Sequence, residues 1–537
     1  MKNKELCADA VAAELYASGV RYIFGHPGGE VVDLIEAFSR HKLEFILVGH
    51  ESAAAFMAAA IGRVTGVPGV CVSTLGPGAC NLLLGVGSAL LDRDPLLAIS
   101  ARTPDASDKR SQKQNIPLNE IFRPASKWSV SLDGNNTRQV ITQAIELATQ
   151  SPRGPVFLTL PNEVAVRSDS AAPLSPKTPD LPIDSDSDLI ELARILNQAR
   201  YPIGVIGVAL DEKNDAKAVR KFFSETDIPF VVLPQAKGVG DEDASNFLGV
   251  VASAAGDVHI VNLIEKSDVL LGVGFDTVES AQSWHFDRTF LSISNGSVGF
   301  KEFQPKLECI GDVSRLMEQL LNRHEGRPRW NRADLDRAKE QVQTDIRPKE
   351  SVGKRGLSPF HVLHVLQDVL PEETIVAVDV GAHKMLTCQA WKSTAPGSFL
   401  VSNGMSSMGY GVPSTLAASL VMPRRPVIGI IGDGGFGMMV QELETAVRMG
   451  VKPLLVVFCD RSLAVIKVAQ KNRNLPYRGV DFGPVNWADV AQGFGVKNVF
   501  ISTLHELSVA TTNWLQKREL TVVAVPIEET LYRGLTY

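Results

Sequence analysis

Short apolar runs alternate with stretches of helical periodicity along this chain, and that alternation limits the fold more than any other feature. In the first third, the strand-like runs lie at residues 22–24, 45–48, 69–73, 96–100 and 155–160. Between them, helical patterns occupy residues 8–17, 53–64 and 79–91. Strands that alternate with helices predict βαβ units, and therefore a mostly parallel sheet with helices on both faces.

The same alternation returns in two later regions. Strand-like runs follow at residues 203–208, 230–233 and 269–273, and then at 375–378, 399–401, 427–431, 454–458 and 520–525. A chain of 537 residues is too long for a single core. We therefore predict an α/β fold of three doubly wound parallel-sheet domains at residues 1–167, 188–325 and 358–537. The predicted linkers are residues 168–187, rich in Ser, Pro and Asp, and the charged residues 326–357.

Composition excludes several classes of function. The formal net charge of -6 comes from acids and bases mixed along the chain, which gives no electrostatic reason to expect a nucleic acid partner. The N-terminus has no apolar run of signal-peptide length, and no later segment reaches the length of a membrane span. The six cysteines are scattered without metal-ligand spacing, as expected of reduced, buried thiols. We expect a cytoplasmic protein that uses neither nucleic acid nor membrane.

Two acids end neighbouring strands of the third region. Asp433 follows the strand at residues 427–431, and Asp460 ends the next strand along the chain. Because consecutive parallel strands end side by side, the two carboxylates can share a hard cation such as Mg²⁺. The glycine-rich residues after Asp433 predict a turn, followed by a helix over residues 441–449. Gly434, Gly435 and Gly437 expose backbone N–H groups at a helix N-terminus, which suits a diphosphate. A glycine turn in which Asp433 only caps a helix is the simpler alternative.

These residues resemble a known family. The sequence GDG at residues 432–434, followed by a polar residue at the next strand end, is similar to the cation and diphosphate signature of the thiamine diphosphate (ThDP) enzymes. Six further motifs resemble the acetolactate (acetohydroxyacid) synthase branch. They are GHPGG at 25–29, GHESAA at 49–54, LGPGACN at 75–81, FRPASK at 122–127, VGAH at 380–383 and SNGMSSMG at 402–409.

The resemblance implies ThDP and Mg²⁺ as cofactors. The implied metal ligands are Asp433, Asp460 and the backbone carbonyl of Ser462. The family pattern has Asn where this chain has Asp460, so this chain adds a negative charge beside the diphosphate. The remaining implied cofactor contacts come from both ends of the chain: Pro27, Gly28, Gly76, Asn81, Val380, Gly381, His383, Gly434 and Gly435.

Glu51 matches the family's activating glutamate, whose carboxyl group hydrogen-bonds the cofactor pyrimidine and makes its reactive tautomer accessible. Glu51 precedes an apolar helix, a setting in which burial raises the pKa of a carboxyl group. A first-turn helix acid is the simpler alternative for this residue. By the same resemblance, Met408 wedges the cofactor into a bent form, and the Ser406 carbonyl accepts from the pyrimidine amino group. Met408 could otherwise be core filler.

The resemblance also suggests a substrate side, formed by His26, Gln114, Ile466 and Ala469. Ala469 stands where anabolic synthases of the family carry a tryptophan, so a larger acceptor pocket is expected. The chain also stops at Tyr537 without their longer closing segment.

FAD is not expected as a cofactor. The middle region has no clear flavin-binding glycine motif, and Gly204 and Gly207 are expected to be packing glycines. Residues 272–279, GVGFDTVE, resemble the FAD-independent, catabolic type. A CoA site is not expected either, because the sequence shows no basic C-terminal tail that would suggest one.

We therefore expect ThDP- and Mg²⁺-dependent decarboxylation of a 2-oxo acid, pyruvate first among them, with carboligation to a second carbonyl. The resemblance implies a homodimer or a dimer of dimers, with active sites at the subunit interface. Two alternatives stay open at this point: a decarboxylase that does not ligate, and a ThDP-binding protein with little turnover. A flavin or nicotinamide oxidoreductase is disfavoured because the dinucleotide fingerprint is missing.

Overall fold

A computed structural model describes residues 5–103, 112–169, 186–280, 288–297 and 304–535. It contains three six-stranded sheets. Every pair of neighbouring strands is parallel. The predicted α/β class with three parallel sheets is confirmed. Most of the predicted linker at residues 168–187 lies outside the described residues.

The strands have the following bounds. The first sheet contains β1 (Tyr22–His26), β2 (Glu44–Leu47), β3 (Gly69–Ser73), β4 (Leu96–Arg102), β5 (Trp128–Ser131) and β6 (Pro155–Pro161). The second contains β7 (Pro202–Ile206), β8 (Phe230–Val232), β9 (Phe247–Val250), β10 (Val269–Val273), β11 (Thr289–Ser294) and β12 (Leu307–Ile310). The third contains β13 (Ile375–Val378), β14 (Phe399–Val401), β15 (Val427–Gly432), β16 (Leu454–Cys459), β17 (Lys497–Phe500) and β18 (Thr521–Pro526).

Helices connect these strands. In the N-terminal third they are Cys7–Ala17, Val32–Arg40, Glu51–Thr65, Pro77–Asp92, Leu118–Phe122, Thr137–Thr149 and Asn162–Ala165. In the middle they are Asp186–Gln198, Glu212–Thr226, Val258–Ile264, Val313–Asn322 and Arg332–Ile346. In the C-terminal third they are Pro359–Val369, Ala382–Ala390, Gly411–Val421, Asp433–Met439, Glu442–Met449, Ala464–Asn472, Trp487–Gly493 and Leu504–Lys517. No helix among the described residues is both long enough and apolar enough to cross a membrane.

The first and third sheets share one topology. Their strand orders are β2-β1-β3-β4-β6-β5 and β14-β13-β15-β16-β18-β17, so each is the same winding of six strands. The winding changes direction between β1 and β3 in one sheet, and between β13 and β15 in the other. Ligands of open parallel sheets bind outside the carboxyl ends of the strands at such a point. The middle sheet has the order β12-β11-β10-β7-β8-β9.

Five strands were not predicted: β5, β9, β11, β12 and β17. Four of them are sheet edges, and β11 is next to an edge. The residues of β5 are all half-buried, and two of the four residues of β17 are exposed. An edge strand buries little apolar surface, so it leaves no continuous apolar run in the sequence.

The chain divides into two compact units. The first comprises Met1–Pro179, Gly404–Pro423 and Met439–Val451, and the second comprises Asp180–Asn403, Arg424–Met438 and Lys452–Tyr537. In the first unit, helix Glu51–Thr65 is buried along nearly its whole length. Its alanine-rich sequence has no polar face, as expected of a helix enclosed by protein on all sides.

Two smaller predictions can also be compared with the structure. Gly204 and Gly207 are packing glycines, because a Cβ on them would lie 2.3 Å from the Phe223 ring and 2.6 Å from the Gly274 carbonyl oxygen. All six cysteines lie in the described part of the chain and are free thiols. The prediction that they are all buried is wrong for Cys80, which is exposed, and for Cys459, which is half-buried.

Candidate active site

The two strand-end acids lie at the carboxyl edge of the third sheet, in the second unit. Strands β15 and β16 pair with Gly432 opposite Phe458, so both acids follow paired strand ends. Asp433 is 5% exposed. Its Oδ2 accepts the N–H of Arg461 at 2.8 Å, and Arg461 is the residue after Asp460. The structure therefore brings the two acids to one place, as the strand order predicts.

Burial and mutual repulsion shape the protonation of this pair. Burial raises the pKa of Asp433. Burial, together with the negative charge of Asp433, raises the pKa of Asp460 to about 8, although the hydrogen bond from the Ser462 backbone opposes the rise. Two carboxylates in such a setting resist ionising together, and a divalent cation bound to both removes that resistance.

The donor set suits Mg²⁺. Among the described residues, no group of three or more His, Cys, Asp or Glu side chains could hold a metal. Mg²⁺ needs only one or two carboxylates when phosphates and water complete its shell. Ser462, the predicted carbonyl ligand, is buried and donates its N–H to Asp460 Oδ1 at 3.0 Å. The residues present thus fit a magnesium ion.

The glycine-rich segment is helical, which corrects the prediction of a turn. The sequence predicts a turn followed by a helix over residues 441–449, whereas the structure has one helix at Asp433–Met439 and another at Glu442–Met449. The glycines serve close packing: a Cβ on Gly435 would lie 2.1 Å from Asp379 Oδ2. The helix therefore rests directly on a buried carboxylate at the end of β13.

Asp379 supports two segments at once. Its side chain is fully buried, and its Oδ1 accepts the N–H of Val380 at 2.7 Å. Val380 begins the loop after β13, which is the neighbour of β15 in the sheet. One carboxylate thus fixes both the predicted diphosphate loop and the first turn of the helix that begins at Asp433.

His383 lies between Gly381, in the loop after β13, and Gly432, at the end of β15. Its Nε2 accepts the N–H of Gly432 at 3.2 Å. A Cβ on Gly381 or Gly432 would lie 2.7 or 2.8 Å from His383 Cε1, so the ring needs glycine on both sides. Burial lowers the pKa of His383 to about 4, although a hydrogen bond with the backbone of Asp379 opposes this. The ring is therefore neutral, and because Nε2 accepts the Gly432 N–H, the ring proton lies on Nδ1.

A cleft of about 1350 Å³ opens beside the acids and is lined by Asp433, Asp460 and Lys467. Lys467 is 12% exposed and bonds Asp481 Oδ1 at 2.6 Å and Glu529 Oε2 at 2.8 Å. Burial pulls the pKa of Lys467 down, but the hydrogen bonds to these two acids outweigh it and raise the pKa. Through these two ion pairs, Lys467 connects helix Ala464–Asn472 to the segments of the cleft wall that contain Asp481 and Glu529.

Glu51 lies in the first unit, at the start of the buried helix Glu51–Thr65. It is 7% exposed. Asn81 Nδ2 donates to Glu51 Oε2 at 2.8 Å. A Cβ on Gly78 would lie 3.0 Å from Glu51 Oε1, so the glycine turn at the start of helix Pro77–Asp92 makes room for the carboxylate. The N-cap of the Glu51 helix is His50, which accepts the N–H of Ser52 at 3.1 Å.

The GHPGG turn follows β1 at the edge of the first sheet. His26 and Pro27 are exposed there, and His26 Nδ1 lies 2.9 Å from the Val48 carbonyl oxygen. A Cβ on Gly28 would lie 2.4 Å from Thr74 Oγ1, at the end of the adjacent strand. These predicted residues thus occupy the point where the winding of this sheet reverses.

Two other substrate-side predictions can be placed. Gly76 has φ +59°, and a Cβ there would lie 3.0 Å from the Gln114 carbonyl oxygen, so Gln114 adjoins the LGPG turn. In the second unit, Ile466 and Ala469 lie on helix Ala464–Asn472, where Ile466 is exposed and Ala469 is half-buried. Their contacts with a substrate remain predictions.

Residues 404–409 form the predicted pyrimidine loop and belong to the first unit. Ser406 is exposed with φ +51°, and Met408 is half-buried. The loop ends at the buried Tyr410, whose ring meets that of Phe56 edge-on at 5.8 Å. The loop thus leads directly into the packing against helix Glu51–Thr65.

Sequence reasoning missed three side chains of these sites, namely Asp379, Lys467 and Glu442. Glu442 is fully buried in the first unit. Glu442 Oε2 accepts the N–H of Gly49 at 3.1 Å and the Thr445 hydroxyl at 2.8 Å. Burial raises its pKa, while these hydrogen bonds oppose the rise. An acid at the end of an apolar strand was the available signal for Asp379, as it was for Asp433.

Comparison with known proteins gives the same assignment for most of the chain. Residues 7–121 match the N-terminal TPP binding domain of thiamine pyrophosphate enzymes, residues 189–320 match their central domain, and residues 379–525 match their C-terminal TPP binding domain. Thiamine pyrophosphate is another name for ThDP.

Similar proteins include several acetolactate synthases. The chain is 27% identical to the catabolic acetolactate synthase of Raoultella terrigena, over 97% of this chain and 95% of the relative. It is 28% identical to the acetolactate synthase of Bacillus subtilis, over 97% and 93%. It is also 28% identical to a probable acetolactate synthase large subunit of Methanocaldococcus jannaschii, over 86% and 81%. The chain therefore belongs to the thiamine pyrophosphate enzyme family and is similar to its acetolactate synthases.

Proposed function

We propose that this enzyme decarboxylates a 2-oxo acid, with pyruvate as the first candidate, and joins the remaining fragment to a second carbonyl compound. The product would be an acetolactate or a close analogue. The observation that carries this proposal is the buried Glu51 carboxylate, which Asn81 orients at 2.8 Å. The relatives named acetolactate synthase support it, since two of them align with 97% of this chain.

ThDP, when bound, supplies a thiazolium C2 atom that adds to a 2-oxo acid and accepts the electrons left behind when CO₂ departs. Glu51 would exchange a proton with the pyrimidine ring nitrogen and so set the tautomer of the cofactor. Asn81 holds the Glu51 carboxylate in place for this contact. The Ser406 carbonyl would accept from the pyrimidine amino group, and Met408 would press the cofactor into its bent form.

In the second unit, Asp433, Asp460 and the Ser462 carbonyl would hold Mg²⁺. Val380, Gly381, His383, Gly434 and Gly435 would surround the diphosphate. On the pyrimidine side, Pro27, Gly28 and Gly76 would line the cofactor. His26, Gln114, Ile466 and Ala469 would face the substrate, and the small Ala469 side chain leaves room for a bulky acceptor.

Assembly follows from the same proposal. We place Glu51 of one subunit and the acid pair of another around each cofactor, in a homodimer or a dimer of dimers. The domains would extend over residues 1–167, 188–325 and 358–537, with linkers between them. FAD would not be required, and the enzyme would work in the cytoplasm.

A panel of 2-oxo acids, supplied with ThDP and Mg²⁺, tests the reaction. CO₂, acetolactate-type products and free aldehydes are measured for wild type, Glu51→Gln and Glu36→Gln. Glu36 is a matched control because its side chain is 69% exposed in the same unit. We expect ligation products from wild type and Glu36→Gln, and a rate loss of roughly 10²- to 10⁴-fold in Glu51→Gln.

Other outcomes would change the proposal. Aldehyde without a ligation product would indicate a simple decarboxylase. ThDP binding without CO₂ from any 2-oxo acid would indicate a binding protein. A Glu51→Gln variant as fast as wild type would refute the role of Glu51.

A further inference from the structure

The loop at residues 404–409 has a conformation that needs support from outside. Ser406 lies in the left-handed region, at φ +51°, and Gly409 follows at φ +88°. A non-glycine residue persists in that region only when its surroundings fix it there. Ser406 is also the residue whose carbonyl we propose as the acceptor from the cofactor. Whatever fixes the start of this loop therefore sets a cofactor contact.

The start of the loop is fastened to the C-terminal half of helix Pro77–Asp92. The N–H of Gly404 donates to Asp92 Oδ1 at 2.7 Å. A Cβ on Gly404 would lie 2.3 Å from the Leu91 carbonyl oxygen, so the backbones are in direct contact. The Met405 methyl group packs next to Gly87, 2.8 Å from where a Cβ on that glycine would be.

Asp92 is itself immobilised. It is 1% exposed, and its Oδ2 accepts the Ser88 hydroxyl at 2.9 Å. Arg63 donates to the Asp92 carbonyl oxygen at 2.5 Å and to Asp94 Oδ1 at 2.7 Å. Asp92 is therefore held at its carboxylate by Ser88, on its own helix, and at its backbone carbonyl by Arg63, on helix Glu51–Thr65.

We propose that Asp92 is a positioning residue, which sets the loop at residues 404–409 so that Ser406 and Met408 meet the ThDP pyrimidine. This inference rests on the proposed function. A hydrogen bond to a carboxylate is stronger than one between neutral groups, and this one acts on a backbone N–H two residues before Ser406. Loss of the carboxylate releases the loop, and Ser406 can then leave its left-handed conformation.

Three variants of the full-length protein test this role. Asp92→Ala removes the acceptor, and Asp92→Asn keeps an oxygen that can accept the Gly404 N–H. Asp169→Ala is the matched control: Asp169 also accepts a backbone N–H, that of Thr137 at 3.1 Å, in the same unit. Asp92→Ser is a smaller change with the same expectation as Asp92→Ala, in case the alanine variant does not fold.

Two measurements separate positioning from general stability. The first is backbone deuterium exchange of the peptide that contains residues 403–409 in the apoprotein. The second is deuterium exchange at C2 of bound ThDP, which follows cofactor activation without substrate. For Asp92→Ala we expect peptide exchange to rise and C2 exchange to fall, each by roughly 10- to 100-fold. Asp92→Asn should recover most of both effects and stay within about tenfold of wild type, since its amide oxygen restores an acceptor, although a neutral one.

The outcomes distinguish this inference from the proposed function. If wild type binds ThDP but shows no C2 exchange, the proposed function fails. If wild type exchanges and Asp92→Ala and Asp92→Ser behave like Asp169→Ala in both measurements, Asp92 does not position the loop. Failure of Asp92→Asn to recover would also overturn the proposal, because the acceptor oxygen would then not be what matters.

Discussion

Replacing Gly435 by alanine tests how the diphosphate side of the site is built. The new Cβ would lie 2.1 Å from Asp379 Oδ2, about 0.9 Å short of the 3.0 Å that real Cβ atoms need. Asp379 cannot retreat easily, because it is fully buried and accepts the Val380 N–H at 2.7 Å. Either the helix at Asp433–Met439 or the loop after β13 must therefore move by nearly an ångström.

The size of the effect follows from two opposing terms. Overpacking a tight site costs about 1–3 kcal/mol, and glycine-to-alanine replacement in a helix returns up to about 1 kcal/mol. We expect a net loss of about 1–2 kcal/mol in the free energy of unfolding. Because the displaced parts carry Asp433 and Val380, the affinity for ThDP with Mg²⁺ should also fall roughly 10- to 100-fold.

Gly437→Ala is the matched control in the same helix. There the Cβ would lie 3.1 Å from the edge of the Trp487 ring, which can give way by a few tenths of an ångström. Its stability should stay within about 0.5 kcal/mol of wild type. Urea unfolding of the apoproteins and calorimetric titration with ThDP at fixed Mg²⁺ provide both quantities. Equal stability and affinity in Gly435→Ala and wild type would refute the packing of Asp379 beneath this helix.

Two further variants test buried charges away from the cofactor contacts. Arg63→Met removes the cation of a buried ion pair with Asp94, in which the two side chains are 4% and 2% exposed, so urea unfolding should show a loss of about 3–5 kcal/mol. The double variant Arg63→Met, Asp94→Leu should recover most of the lost stability. A double variant as unstable as Arg63→Met alone would contradict this expectation. Burial raises the pKa of Asp257 to about 6, above its unfolded value, so wild type gains stability as pH falls from about 6 toward 4. Asp257→Asn should remove that gain and raise stability at pH 7 by up to about 3 kcal/mol, and an unchanged pH profile would contradict it.

The sequence predicts the sheets well because parallel strands in α/β domains are buried on both faces and read as apolar runs. For β15 and β16 this is enough to place Asp433 and Asp460 at one edge. The edge strands β5, β12 and β17 were not predicted because half-buried or exposed residues interrupt their apolar pattern. The helix at Asp433–Met439 was not predicted for a different reason, which is that glycines disfavour helices in isolation. Only the packing of Gly435 on Asp379 shows why this helix needs glycine.

Side chains that act across the fold were beyond sequence reasoning. Lys467 pairs with Asp481 and Glu529, which lie 14 and 62 residues further along the chain. Glu442 bonds Gly49, from which it is separated by 393 residues. No local spacing encodes such partners, because they meet only after the strands have paired. The acids themselves were visible in the sequence, but the backbone groups they accept were not.

Three buried carboxylates share one task in this protein. Asp92 accepts the N–H of Gly404, Asp379 that of Val380, and Glu442 that of Gly49, at 2.7, 2.7 and 3.1 Å. Each of these backbone groups lies at most three residues before a predicted cofactor residue: Ser406, His383 and Glu51. A carboxylate that accepts a backbone N–H fixes a loop without using the side chains of that loop, which stay available for the cofactor. Each of the three carboxylates is itself buried, which strengthens its hydrogen bond to the backbone. The acids thus let glycine-rich loops, which are flexible by composition, hold the predicted cofactor residues in one place.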